Sequence, residues 1–240
     1  SAHQPFVDRK PGMSLRPLLG QYFSRTETWA EQAGPWVDYL SRSSFLLQQG
    51  QFVADVAYFY GQEAPITGLF GESLAGSPME QLNGVGFDFV NEDVLLNQVR
   101  VEGGALVTRS GMRYRSLHLG GSSRRMTLPI LKRIRALAEA GVVVSGLRPE
   151  ESPSLADDRD EFRPITPPLP LSSLSMDRDF EFQGEPRMMF LHRRSAEADI
   201  YFLTNRTNRP QTGTATFRIK DKLPERWDAR TGSIARLTYV

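Results

Sequence analysis

The sequence predicts an α/β protein built on a doubly wound parallel sheet, followed by a C-terminal antiparallel β-sandwich portion. Three observations carry that prediction. The run Phe52–Tyr60 is rich in β-branched and aromatic residues and stops at Gly61, as expected of a strand covered on both faces of a parallel sheet. Residues 127–140 place Ile130, Leu131, Ile134, Leu137 and Ala138 on one helical face and lead through Gly141 into the apolar run Val142–Gly146. Strand and helix therefore alternate, as in a right-handed α/β unit. Beyond residue 188 the pattern changes to short extended runs at 188–192, 199–204, 213–219 and 234–240, with turn residues at 205–210 and 231–232.

Each element follows from local signals. Residues 1–30 are polar, rich in Gly, Pro and Arg, and read as a long loop. Trp29, Ala33, Trp36, Leu40 and Leu47 then recur at helical spacing, with Thr28 and Glu31 placed as a capping box and a bend expected near Pro35. Gly50 supplies the left-handed turn into the first strand. Residues 64–84 have no period and form a loop beyond that strand, where α/β proteins build sites. A helix is expected over 88–97 with Asn91 as its N-cap, then a hairpin of 98–101 and 105–107 around Gly103 and Gly104. Residues 114–119 are a second core strand ending at Gly120 and Gly121. The 127–140 helix has Thr127 as N-cap and Pro129 in its first turn. Residues 149–174, proline-rich, acidic and unperiodic, read as a linker.

Composition narrows the function classes. Among 240 residues, 40% are hydrophobic and 24% charged, an ordinary globular balance for one large domain or two small ones. Lysine and arginine total 29 against 28 acids, which gives no electrostatic reason to expect nucleic acid. The absence of cysteine excludes disulfides, thiolate metal sites and cysteine nucleophiles. No run approaches the roughly 20 apolar residues of a membrane span. Ser1–Pro5 has no signal-peptide architecture, and the abrupt start leads us to expect a fragment or processed product.

Chemistry is harder to read. Gly84-Val85-Gly86 begins like a dinucleotide fingerprint, but Phe89 stands where its third glycine belongs. Gly71-Glu72-Ser73-Leu74-Ala75 approximates a nucleophile elbow without the last glycine. The three histidines, His3, His118 and His192, lack metal-ligand spacing; His118 and His192 read as hydrogen-bonded strand or loop residues. In the opening loop His3, Arg25 and Trp29 form a polar and aromatic set suited to sugar hydroxyls, or equally a loop and helix mouth packed by its own side chains. Glu63, just past the first strand, and Asp93, in a first helical turn, are candidate catalytic carboxylates for glycoside hydrolysis. Their bland alternatives are a solvated loop acid and ordinary complementation of a helix dipole.

At Pro11–Leu15, Thr28–Gln32, Tyr39–Arg42, Leu46–Gly50, Val53–Gly61 and Ala198–Phe202 the chain resembles successive blocks of the α-L-rhamnosidase family of glycoside hydrolases (family 106). The resemblance implies a large periplasmic or secreted bacterial enzyme, inverting, that acts on rhamnoside-containing carbohydrate. It implies an upstream catalytic barrel, an amidotransferase-like α/β domain and β-sandwiches, with glutamates as catalysts and a calcium ion near the sugar. On that mapping residues 1–50 are the tail of the barrel, 51–150 the α/β domain, 151–180 a linker and 181–240 a sandwich portion. No cofactor is expected within the chain itself; calcium belongs to the full-length enzyme. Similar sequences carry glutamate directly after Phe-Tyr-Gly, whereas this one has Gln62 and then Glu63, so the family's catalytic glutamates are not transferred to numbered positions. The alternative is a non-catalytic structural or carbohydrate-binding module.

Overall fold

The computed structural model describes residues 28–62, 82, 84–162, 168–169, 176–184, 188–205 and 207–239. Two compact units result, one spanning Gly50–Lys220 and the other assembled from both ends of the chain, Ser1–Gln49 and Asp221–Val240. The architecture is mixed, α/β plus antiparallel β.

The larger unit is centred on a four-stranded parallel sheet of order β3-β2-β7-β8, formed by Phe87–Val90 (β3), Val56–Phe59 (β2), Ser116–Leu119 (β7) and Val143–Gly146 (β8). All four residues of β2 are buried. Alternate side chains go to opposite faces. Ala57 and Phe59, with Leu117 and Leu119 of β7, pack in one core cluster with helix α2 (Leu128–Glu139), whose Leu128, Ile130, Leu131, Ile134 and Leu137 are all buried. Burying side chains of that size stabilises by about 1.5–3 kcal/mol each, which is why this amphipathic helix holds. Val56 and Tyr58 go to the other face, with Leu82, Phe87 and Met176.

The Phe52–Tyr60 run, expected as one strand, is divided. Gln51–Phe52 (β1) pairs antiparallel with Met188–Arg194 (β10), and only Val56–Phe59 enters the parallel sheet. The break falls at Asp55, whose carbonyl accepts the amides of Arg115 and Ser116 at 2.7 and 3.2 Å. The same bonds split the expected 114–119 strand. Arg113–Tyr114 (β6) closes an antiparallel meander with β4 (Val99–Glu102) and β5 (Ala105–Thr108), whereas Ser116 starts β7. Residues 88–90, expected as helix, belong to the edge strand β3. Helical structure begins after Asn91, whose Oδ1 accepts the Val94 amide at 3.0 Å, and becomes a five-residue π-helical turn, Val94–Gln98.

The antiparallel strands are β9 (Phe180–Gln183), β10 (Met188–Arg194), β11 (Asp199–Asn205) and β12 (Thr214–Phe217), paired β10 with β11 and β9 with β12. Aromatic rings join the pairs: Phe180 lies 5.3 Å from Phe190 and 5.5 Å from Phe217, and Tyr201 lies 4.7 Å edge-on to Phe217. Gly84 sits at φ +80°, where a Cβ would meet the Phe180 carbonyl oxygen at 2.5 Å. That close approach, rather than a phosphate turn, accounts for the glycine.

In the smaller unit, a 3₁₀ turn at Ala30–Gln32 precedes helix α1 (Gly34–Leu47). Pro35 occupies the first turn of α1, where its missing N–H costs nothing, so it starts the helix instead of bending it. No side-chain cap hydrogen bond forms at the 3₁₀ turn, and the expected Thr28–Glu31 capping box is absent. Hairpin strands β13 (Glu225–Trp227) and β14 (Ile234–Arg236) complete the unit. Arg42 Nη1 donates to the carbonyls of Ala229 and Arg230, each at 3.1 Å.

Candidate functional site at the carboxyl edge of the sheet

Ligands of open α/β sheets gather beyond the carboxyl ends of the strands. Here β2 runs into Gly61 and Gln62, β3 into Glu92 and Asp93, and β7 into the Gly120–Thr127 loop that enters α2. Two glycines let these ends approach. Gly61 sits at φ +99° with its missing Cβ 2.1 Å from Ser122 Oγ, and Gly121 at φ +54° with its own 2.3 Å from the Tyr60 carbonyl oxygen.

Gln62 ties the three ends together. Its Oε1 accepts the Thr127 amide at 2.7 Å, while its Nε2 donates to Thr127 Oγ1 at 3.1 Å and to Glu92 Oε2. Thr127 makes no side-chain cap of its own. Instead Gln62 takes the Thr127 amide and Asp157 Oδ2 takes the Leu128 amide at 2.6 Å. These amides at the start of α2 are thereby occupied, so the edge does not offer them to a phosphate. What remains exposed is the Glu92 carboxylate, with Asp93 beside it.

Asp93 is exposed, and its carboxylate accepts Asn97 Nδ2 at 2.9 Å and Gln98 Nε2. These two bonds, Asn97 first, hold its carboxyl below the usual carboxylate range, so it is an anion at neutral pH and can accept a proton but not donate one. Asp157 is likewise held down, by Ser152 and then by the Leu128 amide. Glu63, His3 and Arg25 lie outside the described residues. Trp29 is half-buried at the entrance to the 3₁₀ turn, with its ring 6.2 Å edge-on to Trp36. It belongs to the smaller unit and Asp93 to the larger.

A second polar constellation lies in the larger unit, and its extent was not read from sequence. His192 is fully buried between two carboxylates, with Nδ1 2.8 Å from Asp179 Oδ2 and Nε2 2.7 Å from Asp199 Oδ1. Tyr201 donates its hydroxyl to Asp179 Oδ1 at 2.8 Å, Arg194 meets Asp199 at 2.7 Å, and Arg218 bridges Asp55 at 2.7 Å and Asp179 at 3.6 Å. Burial works against the Asp179 charge, yet the bonds from His192 and Tyr201 and the charge of Arg218 hold its carboxyl below the ordinary range. Burial and the Asp179 bond push the Tyr201 phenol up, so it stays a donor. His192 is thus the hydrogen-bonded strand residue expected, as is His118, whose Nδ1 lies 3.0 Å from Ser145 Oγ. The one early signal of the larger network was Asp55, a charge set inside an apolar run.

Among the described residues no group of three or more His, Asp or Glu side chains is arranged to hold a metal ion. These residues do not supply the calcium shell that the resemblance implies, and no step is derived through one.

Fold and edge together define a class: a mixed α/β-plus-β protein whose exposed sheet edge carries carboxylate and amide groups. The family model described as alpha-L-rhamnosidase (glycoside hydrolase family 106) matches residues 1–169 and 168–240, and the chain belongs to that family. It is similar to the solved structure of a rhamnosidase from Novosphingobium sp. PP1Y, with a TM-score of 0.79 and 38% identity over 98% of this chain and 25% of the other. It is also 32% identical to a Formosa agariphila protein carrying a beta-glucuronidase name, over 98% of this chain and 21% of that protein. The chain thus spans a fifth to a quarter of the length of these relatives.

Proposed function

We propose that this chain is the α/β-plus-β portion of an enzyme that hydrolyses terminal α-L-rhamnosides. The observation that supports it most is a family match running through both units, joined to 38% identity with a rhamnosidase across nearly the whole chain. The parallel strand order β3-β2-β7-β8, in which the chain reverses its direction across the sheet after β3, favours the finer doubly wound, amidotransferase-like reading. Residues 1–50 are proposed as the tail of the catalytic barrel, with His3, Arg25 and Trp29 at the rim of the sugar site. Calcium and a periplasmic or secreted location belong to the same proposal for the full-length enzyme.

Inverting hydrolysis needs one carboxylic acid to protonate the leaving oxygen and one carboxylate to activate water. Asp93, held ionised by Asn97 and Gln98, suits the base and not the acid; Glu63 is the proposed partner. The full-length enzyme carrying Asp93→Asn should lose roughly 10²–10⁴-fold in kcat on an aryl α-L-rhamnoside if Asp93 is that base. Activity within twofold of the parent removes it from the mechanism. The 240-residue chain alone should show no turnover, because its described carboxylates form no complete site; clear hydrolysis by it refutes the need for a barrel.

One observation favours a second reading. Gln62 satisfies the amide and hydroxyl of Thr127, and Asp157 takes the Leu128 amide, as a supporting edge would, so the sheet can act as non-catalytic support. Calorimetric titration of the chain with rhamnose separates the two roles: heat at millimolar sugar supports a binding rim, and its absence supports packing alone.

A further inference from the structure

Helix α1 runs 14 residues without burying one of them, although Trp36, Val37, Leu40 and Phe45 lie on it. A helix of that length is marginal in water on propensity alone, so packing must support it, and its apolar side chains are left for a partner to cover. The hairpin beside it is no better hidden: Trp227 is 51% exposed and Ile234 55%. Between helix and hairpin lies a groove of about 240 Å³ walled by Phe45, Leu46, Trp227 and Ile234. Its polar groups are engaged. Arg42 bonds the Ala229 and Arg230 carbonyls, Asp228 Oδ1 accepts the Arg230 amide at 2.8 Å, and Ser233 Oγ lies 2.9 Å from Thr231 Oγ1. A sugar would meet hydrogen-bonding groups already in use, whereas an apolar side chain would lose water and gain contacts.

Exposed apolar surface gathered in one place marks an interaction site. The relatives indicate its kind. They match 98% of this chain, yet about three quarters or more of each relative lies outside the matched part. We propose that the face made by α1 and the β13–β14 hairpin is a docking surface for a neighbouring domain of the same enzyme, which inserts apolar side chains into the groove. The proposal rests on the rhamnosidase reading for the existence of that domain.

The chain has no cysteine, so Phe45→Cys and Trp227→Cys each introduce a single thiol at an exposed position. Alkylation rates, read by mass spectrometry at the labelled peptide, are compared between the 240-residue chain and the parent polypeptide bearing the same change, each scaled to its urea-unfolded form. Both thiols should react near the unfolded rate in the short chain and at least tenfold more slowly in the parent. Equal rates in the two overturn the proposal, as does a parent with nothing beyond these residues. Slow labelling in the short chain also overturns it, with sedimentation deciding whether a second copy (a dimer) or the chain itself (a monomer) is the cover. Labelling requires no turnover, so protected thiols in a parent that cleaves no rhamnoside would sink the functional reading and leave the docking surface standing.

Discussion

At the scale of single residues, His118 is the most consequential side chain that no proposed chemistry uses. It is buried in the middle of β7, its ring 5.1 Å from that of Tyr58. Burial lowers its pKa from 6.5 to about 4, so the folded state keeps it neutral where the unfolded chain binds a proton. Its contribution is therefore undiminished above pH 6.5 and erodes as pH falls toward 4, by at most roughly 3 kcal/mol for a shift of that size. Urea unfolding at pH 7 and at pH 4.5 should reveal the loss, and His118→Gln should flatten the dependence; an unchanged slope in the variant assigns it elsewhere. Gln62 offers a second test. Gln62→Ala removes the acceptor of the Thr127 amide and the bond to Glu92, and should cost about 1–2 kcal/mol, the range of a lost N-cap. Neither role was fully legible in the sequence. His118 reads as a hydrogen-bonded strand residue from its pattern, but the depth of its burial depends on β2 and β8 flanking it. A glutamine capping a helix 65 positions away leaves no local trace, since capping signals assume a partner within the same turn.

At the scale of elements, periodicity located what packs and missed what pairing decides. Helix α2 and strand β8 were readable to within a residue because their apolar faces meet a single core. The splits at Asp55 and Arg115, and the assignment of 88–90 to an edge strand, depend on long-range bonds that apolar spacing does not encode. The strongest such element-scale link is the buried set Asp179, His192, Asp199, Tyr201 and Arg218, which joins the segment before β9 to β10, β11, the end of β12 and, through Asp55, the approach to β2. Removing one member leaves buried hydrogen-bonding groups of the others without a partner. His192→Ala takes a hydrogen-bond partner from both Asp179 and Asp199 and should therefore cost about 3 kcal/mol, the upper end for leaving buried acceptors unsatisfied. Hydrogen exchange should rise in 188–194 and 199–205 before it rises in 56–59 and 116–119. A loss under 1 kcal/mol, or exchange rising equally in both regions, would mean the network is not what fixes the antiparallel strands. Asp179 adds a sign: its carboxyl is held down in the folded state, so its stabilisation is present above about pH 4 and disappears below that.

At the scale of the molecule, the chain's two ends belong to one unit and its middle to another, an arrangement that reading the sequence in order cannot suggest, because α1 and the β13–β14 hairpin are separated by the whole of the larger unit. The two units differ in what holds them. The larger one has an apolar cluster on each face of its sheet, the greater of them around α2, and such a core supports folding by itself. The smaller one buries Ala33 but no residue of α1, β13 or β14, and its helix and hairpin are linked by Arg42 donating to two carbonyls of the 228–232 turn. Deleting residues 221–240 removes both acceptors and the groove wall made by Trp227 and Ile234, which leaves α1 as a 14-residue helix without that packing against Phe45 and Leu46. Such a helix is marginal in water. The truncated chain should therefore lose helical ellipticity corresponding to α1, and its 34–47 segment should become open to limited proteolysis, while amide protection in 56–59, 116–119 and 128–139 stays as in the intact chain. If 34–47 resists cleavage after the truncation, α1 is held by something other than the hairpin. If the parallel sheet melts together with the helix, the division into two units has no energetic meaning.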